Sequence, residues 1–145
     1  MRRVMLCMCA GLSVLAFTTS VEAQVGKDIP GEDHVWLTEH NVIQKLVDLT
    51  NKERARYKLP PVEIDPYLCL QAQQHAEWMA KTGMYRHSGK PWPEIIFRGP
   101  GTAENAIRGW IYSPAHHRIM LKRGNYVGFG YMVINGRDYW VGLFQ

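Results

Sequence analysis

Apolar residues recur at helical spacing through much of this chain and then give way to two runs rich in aromatic and β-branched residues. The first helical stretch begins at Thr38 as N-cap, with Leu37 and Val42 placed for a hydrophobic staple. It extends to about Tyr57 and buries Val42 or Ile43, Leu46, and Leu49 or Thr50. Leu59-Pro60-Pro61 ends it, because proline cannot continue a helix. Asp65-Pro66 opens a second helix, a capping residue followed by proline at the first helical position. Leu68, Ala72, His75, Ala76 and Met79 fall on one face of it, and Gly83 closes it. Thr102 caps a third, short helix whose buried stripe is Ala106, Ile107, Trp110 and Ile111, and Ser113-Pro114 starts a fourth that runs to about Leu121. The period then changes. Tyr126 to Ile134 and Arg137 to Phe144 read as strands joined at Asn135-Gly136, two residues that tolerate the positive φ of a tight hairpin turn. Ile95-Ile96-Phe97 adds a further short strand. Helices first and a hairpin last predict an α+β layered domain.

The N-terminus alters that picture, because residues 1–23 read as a leader to be removed. Arg2 and Arg3 form a positive start, Val4 to Phe17 a mostly apolar run, and Val21 and Ala23 occupy the two positions that signal peptidase inspects. The apolar run contains Gly11 and Ser13 and falls short of the roughly 20 residues a membrane span needs. Cys7 and Cys9 do not stand at its end, which disfavours a lipoprotein signal. The expected organisation is a signal peptide at 1–23, a lead-in segment at 24–37 and a single domain at 38–145. That domain would be secreted or extracytoplasmic, with no stable membrane anchor after cleavage. The whole chain carries a net charge of +4. Arg2, Arg3 and Glu22 depart with the leader, leaving a mildly basic domain with no run of five basic residues, so nucleic acid is not an expected partner. Two of the three cysteines depart too. Cys69 is left alone, so no disulfide can form within the domain and packing must stabilise it. Cys69 itself fits a buried small hydrophobe.

Candidate chemistry is sparse. His87 lies just past the second helix, Glu94 follows in Pro93-Glu94-Ile95, and His116 sits in Ser113-Pro114-Ala115-His116-His117. On spacing alone these residues lack the tight helical arrangement of a His-Glu-x-x-His zinc site and read as surface histidines. His75 falls on a buried helical face and reads as a core histidine, while His117 should point elsewhere on its turn than His116. Trp36, Trp78, Trp92, Trp110 and Trp140 could suggest a carbohydrate surface, yet Trp78 and Trp110 sit in helices where packing accounts for them. The chain has no Gly-x-Ser-x-Gly elbow, Cys69 has no evident base partner, and Ser113 is explained as a helix cap, all of which argues against a nucleophilic hydrolase.

Several blocks together carry a family resemblance. Leu46 to Arg54, with Asn51 followed three residues later by Arg54, then Pro60-Pro61-Val62, Leu68 through Met79 and Arg86-His87-Ser88 form its first half. Trp110 through His116, Tyr126-Val127-Gly128-Phe129-Gly130 and Tyr139-Trp140-Val141 complete it. In this order they resemble the family of cysteine-rich secretory proteins, antigen 5 and plant pathogenesis-related proteins, in particular its short bacterial members. The resemblance covers roughly residues 42–144. It implies an α-β-α sandwich with helices packed on a small, mainly antiparallel sheet, and a cleft lined by two histidines and acidic partners, one of them from a Gly-Glu-Asn motif. Ala103-Glu104-Asn105 mimics that motif but stands in the wrong place. The glutamate of short members lies sixteen residues before the tryptophan, which selects Glu94 against Trp110 and turns Gly-Glu-Asn into Pro93-Glu94-Ile95. Glu104 is better explained as a first-turn acid favoured by the helix dipole. A second family acid is expected three residues past the tryptophan, where this chain has Ser113.

The resemblance thus implies a ligand-binding site of His87, Glu94 and His116. Two imidazoles and a carboxylate form an incomplete shell for zinc or another divalent cation, or could do acid–base work; no cofactor is required by the pattern. Three functions stay open: a secreted domain binding a divalent metal or an extracellular small ligand, a metal-assisted extracellular hydrolase, and a non-catalytic interaction module with a relic cleft.

Overall fold

The computed structural model describes residues 35–145. The expected leader and nearly all of the lead-in segment lie outside the described residues. The element order is α1 (Val35–Glu39), α2 (Asn41–Arg56), β1 (Glu63–Ile64), α3 (Pro66–Thr82), β2 (Glu94–Arg98), α4 (Ala103–Tyr112), α5 (Pro114–Met120), β3 (Tyr126–Ile134) and β4 (Arg137–Phe144). The strands form one sheet in the order β1-β3-β4-β2, with β1 parallel to β3 and the other two pairings antiparallel.

Alternation along the strands divides the core into two layers. Ile96, Tyr139, Val141 and Leu143 pack with Leu68, Ala72, Ala76 and Met79 of α3 on one face. Ile95, Phe129, Trp140 and Phe144 face the other way, onto Ile43 and Leu46 of α2 and Ile107 and Trp110 of α4. The result is the expected α-β-α arrangement of helices on a mostly antiparallel sheet. Gly128 and Gly130 set the spacing of the α3 layer. A Cβ at Gly128 would stand 2.2 Å from the Cys69 backbone nitrogen, and one at Gly130 would stand 2.2 Å from that of Gln73. The Gly-Phe-Gly run of β3 therefore lets the helix backbone lie directly on the strand.

Most of the sequence punctuation acts as expected. The Asp65 side chain accepts from the Leu68 N–H at 2.7 Å, and the Thr102 hydroxyl accepts from the Asn105 N–H at 3.2 Å. Gly83 ends α3 in the left-handed conformation at φ 71°. Asn135 and Gly136 turn the hairpin at φ 51° and 70°. Three expectations fail. The first helix does not start at Thr38: Thr38 lies inside α1, and the chain breaks at His40, whose extended backbone and Nδ1 acceptor cap α2 at the Val42 N–H. Residues 35–37, assigned to a loose lead-in, are the first turn of α1, and Leu37 is buried there. Ser113 precedes the proline of α5 as expected, but its side chain makes no capping bond.

Candidate functional site

Leaving α3 through the αL turn at Gly83, the chain crosses residues 84–93 and enters β2 at Glu94. His87 and Glu94 thus lie on one excursion, and they meet. The His87 imidazole is bonded through Nδ1 to Glu94 Oε1 at 2.7 Å, and the Ser88 N–H donates to the same oxygen at 2.9 Å. The two side chains differ sharply in environment, with 54 % exposure for His87 and 6 % for Glu94. A buried carboxylate accepting two hydrogen bonds fixes the orientation of a more exposed ring. Glu94 Oε2 is also buried and has no protein partner among the described residues.

His116 comes from α5. Its ring centroid lies 6.1 Å from that of His87, with the planes tilted by 59°. Among the described residues neither ring nitrogen of His116 has a hydrogen-bond partner, and the same holds for His87 Nε2. Burial lowers the His116 pKa from its ordinary value and the neighbouring His87 lowers it further, so the neutral imidazole is favoured. The three residues singled out from the family pattern are therefore spatial neighbours. They are not arranged as three donors around one point: among the described residues no three His, Cys, Asp or Glu side chains could hold a metal ion together. The reason is visible in the pairing. Glu94 meets His87 through Nδ1, so anything held on Nε2 lies across the imidazole ring from the carboxylate.

The other candidates do not join this group of three. Glu104 is exposed on α4, where its pKa is lowered first by its own backbone N–H and then by Lys45. His75 is buried and bonded through Nε2 to the Arg86 carbonyl at 2.8 Å, the satisfied core histidine expected from its position. His117 does turn away from His116 and bonds Glu53 of α2 at 2.9 Å, a partner 64 residues distant that spacing could not reveal. Burial pushes the Cys69 thiol up to about 11, which leaves it protonated and inert.

The Asn51 and Arg54 of the family pattern are structural. Asn51 exchanges two hydrogen bonds with the backbone of Val62. Arg54 is fully buried and donates to the carbonyls of Pro60, Met120, Lys122 and Gly124, tying α2 to the end of α5.

Comparison with known proteins agrees with this architecture. A Bacillus subtilis (strain 168) protein of uncharacterised role, YkwD, is 27% identical over 107 residues, which is 61% of this chain and 42% of the relative. The chain thus spans less than half the length of that relative. An outer surface protein of Borrelia burgdorferi superposes with a TM-score of 0.63 at 18% identity, covering 70% of this chain and 89% of the other. NaASP2, whose structure was solved with Zn2+, gives a TM-score of 0.55 at 16% identity over 72% of this chain and 81% of the other. At such identities the two structures speak for the fold alone. Residues 47–144, which hold the sheet, the Asn51–Arg54 clamp and the His87, Glu94 and His116 neighbourhood, match the cysteine-rich secretory protein family, CAP, and the chain belongs to it.

Proposed function

We propose that this chain is a secreted binding domain whose His87–His116 cleft holds a small ligand, a divalent cation among the candidates, with Glu94 as the residue that positions His87. The observation that carries it is the buried Glu94 carboxylate bonded to His87 Nδ1, while Glu94 Oε2 and the outer nitrogen of the imidazole have no protein partner among the described residues. A carboxylate behind a histidine is the arrangement that orients metal-binding imidazoles and raises their basicity. The favoured neutral form of His116 supplies a second lone pair near neutral pH. For a cation the donors would be His87 Nε2 and the His116 ring. Two imidazoles are fewer than the three protein ligands of typical catalytic zinc sites, so the remaining positions would be filled by water or by the ligand. A zinc ion there would supply an open, positively charged coordination position. NaASP2, of the same fold, was solved with Zn2+. Secretion is supported by the leader pattern of residues 1–23 and by the outer-surface location stated for the Borrelia burgdorferi protein.

The test is thermal unfolding of the mature protein in EDTA and then in excess zinc, for wild type and for His87→Ala/His116→Ala. A ligand that binds only the folded state at a hundred times its dissociation constant stabilises it by about 2.7 kcal/mol. A rise in Tm that the double variant loses supports the cation reading. If neither protein responds to zinc, nickel or cobalt, the cation reading fails. Chelator-sensitive turnover in a screen of peptides and polysaccharides would replace it with the metal-assisted hydrolase.

A further inference from the structure

A pocket of about 340 Å3 opens beside His87 on the side facing α3. Gln74, His75 and Trp78 form one wall, and Arg86, His87 and Lys90 from the excursion after α3 form the other. Two of these side chains are permanent cations, and no aspartate or glutamate lines the pocket. Glu77, adjacent in sequence to Trp78, is engaged with Gln73 and Lys81.

The cations are held in place without being neutralised. The Arg86 guanidinium lies 5.0 Å from the centroid of the Trp78 ring, and among the described residues it has no carboxylate partner. A cation–π contact holds a guanidinium near the ring without using its N–H donors, which remain available to the oxygens of a carboxylate or phosphate. The Arg86 backbone is fixed in turn, since its carbonyl is bonded to the buried His75. His75 stacks on Trp78 at an interplanar angle of 13°. Trp78 therefore meets both Arg86 and His75 with its ring. Lys90 is positioned as well: its N–H donates to the Ser88 hydroxyl, and its ammonium donates to Gln71. A guanidinium without a carboxylate partner and a second cation lining the same concave surface lower the cost of binding an anion.

We propose that this pocket is an oxyanion subsite of the His87 cleft, receiving the carboxylate or phosphate of a small organic ligand whose remainder reaches His87. The assignment of the pocket as part of a larger ligand site rests on the proposed function above; anion binding by Arg86 and Lys90 does not.

The experiment is an NMR titration of the mature protein with inorganic phosphate and, separately, with succinate, at constant ionic strength held by sodium chloride. It follows the Arg86 side-chain N–H and the Trp78 indole N–H, first without metal and then with zinc. The expected result is saturable shifts at both groups with at least one anion, and binding read at the Trp78 indole weakened at least about tenfold in Arg86→Gln/Lys90→Gln, as the loss of one or more charge-assisted bonds requires. An unchanged Tm for that variant shows that the loss is local. Succinate acting alone identifies a carboxylate ligand, and phosphate acting alone a phosphate ligand. Absence of saturation for both anions, or equal binding by the variant, overturns the proposal. The two ideas separate in the wild-type protein and in His87→Ala/His116→Ala: saturable anion shifts in a wild type that shows no zinc response leave the subsite standing and remove the cation reading, and anion shifts retained in the double variant show that the subsite binds without the imidazoles.

Discussion

Replacing Arg54 with methionine is the most informative single change in the scaffold. Methionine preserves much of the aliphatic stem inside α2 but removes every donor. In the native structure Arg54 is fully buried, and it donates to Pro60 O at 3.0 Å, Met120 O at 2.8 Å, Lys122 O at 2.8 Å and Gly124 O at 3.4 Å. These carbonyls do not contribute equally. Pro60 and Lys122 belong to exposed residues, so water can replace much of what they lose. Met120 is fully buried, and its carbonyl would lose its bond to the guanidinium where water has little access. A hydrogen bond to a charged group contributes about 1.5–3 kcal/mol, and an unsatisfied buried carbonyl costs about 1–3 kcal/mol. Desolvation of the guanidinium, the cause of the lowered Arg54 pKa, offsets part of this sum. The expected net loss is about 3 kcal/mol. At roughly 4 °C per kcal/mol for a domain of this size, Tm falls by about 12 °C. Circular dichroism with urea and thermal denaturation measures both quantities. A loss below about 1 kcal/mol would show that the Arg54 network does not hold the domain together.

Three further outcomes are expected. Gly128→Ala should cost about 3 kcal/mol in urea denaturation, because its Cβ would stand 2.2 Å from the α3 backbone and the helix must lift off the sheet; a change within about 0.5 kcal/mol would disprove the close approach. Glu94→Gln should preserve the fold yet lower the zinc affinity read from the rise in Tm by about 10–100-fold, and an unaltered zinc titration would deny Glu94 its positioning role. The His116 pKa is lowered in the folded state, so between that value and its unfolded value of about 6.5 the unfolded chain binds more protons and stability falls as pH falls. His116→Gln should flatten that part of the stability–pH curve while leaving stability above about pH 7 free of this linkage; identical acid slopes for the two proteins would refute it.

What the sequence reveals about this fold depends on how local the signal is. Asp65, Thr102, Gly83 and Asn135-Gly136 act on backbone groups within a few residues, and the structure uses each as expected. The break at His40 is hidden because histidine is a rare cap and Thr38 offers a better-known one two residues earlier. β1 is invisible to periodicity because two residues are too short to show a period, and the Asn51 clamp on Val62 holds the chain that enters its pairing with β3. The site is less legible still. Spacing alone cannot join His87, Glu94 and His116; only the family pattern does. Nothing in the sequence marks Arg86, Lys90 and Trp78 as a site, because their relation arises where the excursion after α3 folds back on the helix.

The consecutive histidines of α5 show how the scaffold and the cleft depend on each other. α5 is seven residues long and lacks a side-chain cap, so it has little stability of its own. Its place comes from outside. Met120 sits in the core, and its carbonyl is bound by Arg54. At the midpoint of the helix, His117 is bonded to the buried Glu53, whose other oxygen accepts from Arg56. Both anchors come from consecutive residues of α2, Glu53 and Arg54. His116 can stay without a hydrogen-bond partner among the described residues because His117 and Met120 already fix the helix that carries it. The 6.1 Å separation between the His87 and His116 rings is therefore set jointly, by Glu94 behind one ring and by α2 behind the other. Loosening α2 through Glu53 or Arg54 should spread the two imidazoles even though neither residue is bonded to them.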